Sequence, residues 1–163
     1  IRDQPRSRGL GDVYKRQGYI EEAFLAYKTE RYNIKGKDVV AGNCKYYLND
    51  LSFKNFLYPG FAYGVGYLLE NAVYLELRRL GYIVYTGSFR DKEVDFVAMK
   101  DDRVIYLQAT YMLETAQTME REYAPLLTIG DNYEKYVVSM DEVQFPSNEG
   151  VRHIQAWNLK EIL

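Results

Sequence analysis

Residues 66–80, Gly-Tyr-Leu-Leu-Glu-Asn-Ala-Val-Tyr-Leu-Glu-Leu-Arg-Arg-Leu, constrain the fold more than any other stretch of the chain. Leu69, Val73, Leu77 and Leu80 recur at helical spacing and form an apolar stripe. Leu68, Ala72 and Leu75 make the other side apolar as well, which predicts a helix buried over most of its surface. Arg78 and Arg79 fall in the last turn, where positive charge suits the helix dipole, and Gly81 supplies the stop. Three strands are expected next, at 82–85, 93–99 and 104–110, the last two joined by a turn at Asp101-Asp102. A second helix is expected over 114–127, then strands at 135–140 and 151–157. Asn158 is placed to cap a short terminal helix. The order αβββαβ, with one further strand, predicts an α/β fold with helices on the faces of a sheet.

The upstream part reads differently. Residues 18–24 look like a helix end, 25–32 a strand, Gly36 a turn and 45–48 a second short strand ending at Asn49-Asp50. This is the pattern of a wing whose helices are missing, so 18–58 is expected to be a winged-helix remnant or linker. Pro59-Gly60 then marks the boundary of the main domain, 59–163. Residues 1–17, Ile-Arg-Asp-Gln-Pro-Arg-Ser-Arg-Gly-Leu-Gly-Asp-Val-Tyr-Lys-Arg-Gln, show no helical or strand period. They are similar to translated adapter tails of metagenomic gene fragments and are expected to be disordered. Five basic residues against Asp3 and Asp12 give that tail +3. With the whole chain at −2, residues 18–163 carry −5. An acidic body is poorly suited to non-specific DNA binding, which depends on Lys and Arg neutralising phosphates.

Composition removes several function classes. A single cysteine, Cys44, cannot form an internal disulfide, and a single histidine, His153, excludes a zinc site of the Cys/His type. His153 alternates with Arg152 and Ile154 and reads as a core-edge residue rather than a base. No apolar run approaches the ~20 residues of a membrane-spanning helix, and the first residues lack the apolar core of a secretion signal. A cytoplasmic protein with no membrane partner is therefore expected. Seventeen tyrosines are an excess that suits a protein interface.

Three residues stand out as candidates for chemistry. Glu70 lies on the apolar side of the 66–80 helix, where a carboxylate needs a partner, a metal or a wet pocket. Asp95 lies in the otherwise apolar strand 93–99, on the face of Glu93 and Val97, with Val94 and Phe96 on the other face. Gln108 and Thr110 share one face of the next strand, while Ile105, Leu107 and Ala109 share the other. If those strands are neighbours, Asp95 and Gln108 converge and Glu70 reaches in from the helix. Glu93 reads as solvent-exposed.

The strings YLNDLSFKN (47–55), LLENAVYLELRRLGYIVYTG (68–87), EVDFVA (93–98), YLQATYML (106–113) and EREYAPLLTI (120–129) carry a resemblance. Together they resemble the C-terminal domain, domain-of-unknown-function family 4143, of a large group of prokaryotic AAA-type ATPases, within the PD-(D/E)XK nuclease-like superfamily. The resemblance runs from about residue 18 to residue 163. It implies a restriction-endonuclease-like core with a mixed central sheet, and an ATPase module upstream. No G-x-x-x-x-G-K-[ST] occurs in this chain, so ATP would be bound only by that module.

By the resemblance, Glu70, Asp95 and Gln108 stand where the superfamily holds Mg²⁺ through a helix acid, a strand acid and the acid of an E-x-K triplet. An amide at 108 brings no charge, and Thr110 stands where the triplet lysine belongs. A hydroxyl cannot replace that permanent charge, and losing one such electrostatic contact typically costs ~10²–10³ in rate. Lys92, Lys100 and Arg121 are the cations nearest along the chain, and none has the required spacing. The expected function is a catalytically degenerate nuclease-like domain serving protein or nucleic-acid interaction. The alternative is an active Mg²⁺-dependent DNA endonuclease. Expected partners are the upstream ATPase module, DNA, and a second copy of the chain.

Overall fold

In the computed structural model, residues 10–57, 59–60 and 64–163 are described. They form one mixed seven-stranded sheet in the order β2-β1-β3-β4-β5-β6-β7. The elements run α1 (Leu10–Glu22), β1 (Ala26–Asn33), β2 (Asp38–Leu48), α2 (Ser52–Leu57), α3 (Val65–Arg79), β3 (Ile83–Phe89), β4 (Lys92–Lys100), β5 (Arg103–Ala109), α4 (Ala116–Leu127), β6 (Glu134–Ser139) and β7 (Val151–Gln155). A 3-10 helix over Ala156–Glu161 closes the chain. The α/β class read from the sequence is the class observed. No helix among the described residues is long and apolar enough to cross a membrane.

The sheet carries two cores. On one face α3 lays Leu69, Val73, Tyr74 and Leu77 over Val84, Phe96, Ala98, Ile105 and Leu107, joined by Leu159 from the 3-10 helix. On the other face α4 lays Tyr123 and Leu126 over Val94, Val97, Tyr106 and Val137. Strands covered on both sides are mostly apolar through their buried stretch rather than alternating, and β4 is buried without a break from Val94 to Ala98 and β6 from Lys135 to Ser139. At the start of α4 the Thr115 hydroxyl accepts the Thr118 N–H, so this helix carries its own N-cap.

Three expectations are corrected. Residues 26–48 are not a separate winged-helix remnant. The β1–β2 hairpin is the edge of the same sheet, because Arg31, Tyr32 and Asn33 pair in parallel with Thr86, Gly87 and Ser88. Pro59-Gly60 therefore interrupts the connection from that edge to α3, not a junction between folds. The tail expected to be disordered is helical from Leu10 onward, and its residues 1–9 lie outside the described residues. The terminal helix is a 3-10 helix that starts after Gln155, with no side-chain cap; Asn158 lies inside it and its amide donates to the Gln155 side chain at 3.1 Å.

The fourth difference matters most for the site. Between Tyr85↔Val97 and Gly87↔Val94 the β3–β4 ladder slips by one residue, a β-bulge on β4 at Asp95 and Phe96. Strict alternation put Asp95 and Phe96 on opposite faces. The bulge puts both on the α3 side, and sends both Val94 and Val97 to the α4 side. Those two valines then crowd the strand opposite. A Cβ on Gly87 would meet Val97 Cγ2 at 2.8 Å and Val94 Cβ at 3.0 Å, so only glycine fits across from the bulge.

Candidate functional site

α3 carries Glu70 to the mouth of the sheet, where the β1–β2 hairpin and the bulged end of β4 meet. Lys45, near the end of β2, fills the centre. Its Nζ lies 3.0 Å from Glu70, 2.9 Å from Glu93 and 3.4 Å from Asp95. Arg31 also pairs with Glu93. Tyr47, two residues from Lys45 and so on the same strand face, donates its hydroxyl to Glu70 Oε1 at 2.7 Å. The Tyr47 ring stacks on Tyr74 of α3, with centroids 4.2 Å apart, and touches Phe96 at 5.7 Å. The aromatic core therefore holds the hydroxyl and the ammonium in place.

Asn71 fastens this corner. Its amide accepts the Leu48 N–H at 2.8 Å and donates to the Leu48 carbonyl at 2.9 Å, as a neighbouring strand would. Asn71 is 6% exposed, so both backbone groups depend on it. Asn71→Ala is expected to lose ~1–3 kcal/mol by leaving buried groups unpaired. Urea unfolding measures it, and Asn71→Asp, which keeps only the acceptor, is expected to recover part of the loss.

The electrostatics follow from three carboxylates crowding one ammonium. Burial works against the charge on Lys45, but Asp95, Glu70 and Glu93 outweigh it and hold the ammonium above its ordinary value. Asp95 is shifted upward as well, but burial here acts with the neighbouring carboxylate rather than against it. Burial, and then the charge of Glu70, push its carboxyl up to about 7, against the pull of Lys45 and the Ala109 N–H. Burial and then Glu70 push the Tyr47 hydroxyl far up, so it stays a donor.

The structure brings Glu70 and Asp95 together as the sequence reading anticipated, with Gln108 placed otherwise. Ile105, Leu107 and Ala109 pack on the α3 face and Tyr106 on the α4 face, so alternation places Gln108 with Tyr106. Its amide oxygen accepts the Asp95 N–H at 3.3 Å, and Asp95 Oδ2 accepts the Ala109 N–H at 3.0 Å. Both side chains thus complete hydrogen bonds where β4 and β5 part at the bulge. Lys92, Lys100 and Arg121 are elsewhere. Lys92 borders a groove beside α4, Lys100 donates to the Leu80 carbonyl, and Arg121 pairs with Glu122.

Mg²⁺ requires near-octahedral oxygen coordination at ~2.1 Å. The arrangement does not fit it, because an ammonium sits between the carboxylates and Gln108 is turned to the main chain. Among the described residues no three His, Cys, Asp or Glu side chains form a group able to hold a metal ion.

Lys45 and Glu93 are the residues that sequence reasoning passed over. The signal for Glu93 was present, since it shares a strand face with Asp95. Lys45 precedes Asp95 by fifty residues, and only the parallel pairing of β1 with β3 brings the hairpin to the site. Beside the site a cleft of ≈ 390 Å³ opens between β2 and α3, bordered by Lys45, Tyr46, Leu51, Tyr67 and Glu70. Tyr46 and Tyr67 are exposed on its rim.

The chain is 36% identical over 120 residues to an uncharacterized protein of Haemophilus influenzae. The match takes in 74% of this chain and 29% of that protein, so the chain spans under a third of the length of the relative it matches. No family model matches the chain, and no solved structure does.

Proposed function

We propose that this chain is a nuclease-like α/β module of a longer prokaryotic AAA-type ATP-binding protein, and that it makes contacts rather than cutting nucleic acid. The observation that carries the non-cleaving reading is the position of Lys45. Its ammonium supplies from within the chain the positive charge that a divalent metal would bring to Glu70 and Asp95. Gln108 and Asp95 also have structural work at the bulge, which accounts for their presence without catalysis. The far greater length of the Haemophilus influenzae relative supports a module within a larger protein. The charge of −5 over residues 18–163 and the exposed Tyr46 and Tyr67 favour a protein partner, the upstream ATPase module, over DNA.

One observation favours a second reading. Lys45 brings to the acids the charge that Thr110 lacks, so a metal that displaced it from the carboxylates would leave a lysine beside the metal site. The two readings separate on supercoiled and branched DNA incubated with the full chain and Mg²⁺ or Mn²⁺. The expected result is no cleavage, and no Mn²⁺-dependent rise in melting temperature. Lys45→Met is expected to show a Mn²⁺-dependent rise, because removal of the ammonium uncovers the carboxylates. Cleavage by the wild-type chain that disappears in Asp95→Ala would establish the endonuclease.

A further inference from the structure

The chain's one histidine lies on β7, three strands from the β4 acid site, in a polar network of its own. His153 on β7 is 2% exposed. Its Nε2 lies 2.8 Å from the Ser139 hydroxyl at the end of β6, and its Nδ1 accepts the Phe145 N–H at 3.1 Å. An acceptor at Nδ1 fixes the tautomer. The ring proton is on Nε2, and it is donated to Ser139. Ser139 in turn donates to Asp141 Oδ2 at 2.7 Å, and the same oxygen accepts the Leu113 N–H at 2.8 Å. The serine proton is thereby committed to a carboxylate, and Ser139 is fully buried, so the trio is not an acyl-transfer site.

These bonds hold the segment 140–150, which has no regular structure of its own beyond an isolated bridge at Asn148. Phe145 packs edge-on against the His153 ring, with centroids 5.0 Å apart. The Gln144 amide donates to the His153 carbonyl at 2.9 Å, and the Gln155 amide to the Glu142 carbonyl at 2.8 Å. The far side of the segment, Phe145 to Asn148, forms one wall of a groove of ≈ 630 Å³ whose other wall is α4 at Met119, Tyr123 and Leu127.

We propose that His153 is an acid-operated latch: a proton on Nδ1 sets N–H against the Phe145 N–H, releases residues 142–148, and unwalls the groove beside α4. The proton comes from solvent and takes the Nδ1 lone pair that accepts the Phe145 N–H, so that bond breaks first; release of the whole segment also opens the Gln144–His153 and Gln155–Glu142 bonds. The charges facing the ring are few. From the end of β6, Asp141 favours the imidazolium, but only through Ser139. On β7 itself Arg152 borders the same hollow and opposes the imidazolium, with Glu134 of β6 paired to that arginine. From α4, the buried Tyr123 hydroxyl contributes no charge at physiological pH. Burial outweighs Asp141 and holds the imidazole below its ordinary value of 6.5, while a released His153 returns to that value. The released state therefore binds the proton more tightly, and release is favoured as pH falls below 6.5.

Hydrogen exchange of the full chain between pH 7.5 and 4.5, corrected for intrinsic rates, tests this. The Phe145 amide is expected to lose protection about tenfold per pH unit below 6.5, until His153 itself titrates in the closed state. The Val137 amide in the central sheet is expected to keep its protection over the same range. In His153→Gln the Phe145 pH dependence should vanish. If that variant fails to fold, the wild-type imidazole ¹⁵N shifts decide the matter, since only one histidine contributes. An Nε2–H tautomer titrating below 6.5 supports the latch. Titration at or above 6.5, or Phe145 protection that follows Val137 at every pH, overturns it.

Discussion

Lys45→Met is expected to lose ~2–4 kcal/mol of stability at pH 8. The substitution keeps most of the side-chain volume and removes the charge, so what it measures is three carboxylates left without their cation. Removing one partner of a buried pair typically costs ~3–5 kcal/mol. The lower range applies here because the Lys45 side chain is 32% exposed and water screens part of the repulsion. The pH dependence gives the sharper test. Asp95 already holds its proton up to about 7 in the folded chain, against an ordinary value of 3.8. A carboxyl raised on folding adds stability that is complete below its unfolded value and is lost as pH rises through its folded value. Without Lys45 the Asp95 carboxyl is expected to hold its proton more tightly still. The deficit of the variant should therefore widen between pH 6 and pH 8, as pH rises through the wild-type Asp95 value of about 7. Urea unfolding at four or five pH values measures this. A deficit that is constant across that range would show that Lys45 acts by packing and not by neutralising the acids.

Phe96→Ala is expected to have the largest effect of any single substitution near the site, ~3–5 kcal/mol. Phe96 is fully buried on the α3 side of the sheet and touches both Tyr47 and Tyr74, with ring centroids 5.7 and 6.4 Å away. Deleting the ring leaves a cavity under the hydroxyl that binds Glu70. The loss should appear in thermal and urea unfolding at every pH, because no titrating group is removed. Phe96→Leu should recover more than half of it. A cost below ~1 kcal/mol would mean that the Tyr47–Tyr74 stack closes over the gap, and that Phe96 does not support the site.

The two substitutions probe the parts of the site that differ most in how far they could be read in advance. The α3 stripe, the apolar strands around Asp95 and Leu107, and the stop at Gly81 follow from local periodicity, and the structure has helix and strands in those places. Glu70 was legible as a carboxylate on an apolar helix face, a placement that requires a partner whatever the fold. The partner was not legible. Lys45 reaches the site because a hairpin that reads in isolation as a wing adds its strands to the sheet edge, and no local pattern reports a parallel pairing between residues fifty-five positions apart, as for Arg31 and Thr86.

The sequence alone, through hydrophobic period and the glycine and proline breaks, determined the α/β class, the order of elements from α3 onward and the placing of Glu70 and Asp95 among apolar neighbours. These depend on side-chain spacing within one element, and such spacing is local. Tertiary structure alone decided that β1 and β2 join the same sheet, that a bulge turns Asp95 to the face of Phe96 and away from that of Gln108, and that the charge among the acids is an ammonium of the chain itself. Each of those outcomes is set by pairing between distant strands, where a slip of one residue exchanges the faces of everything beyond it.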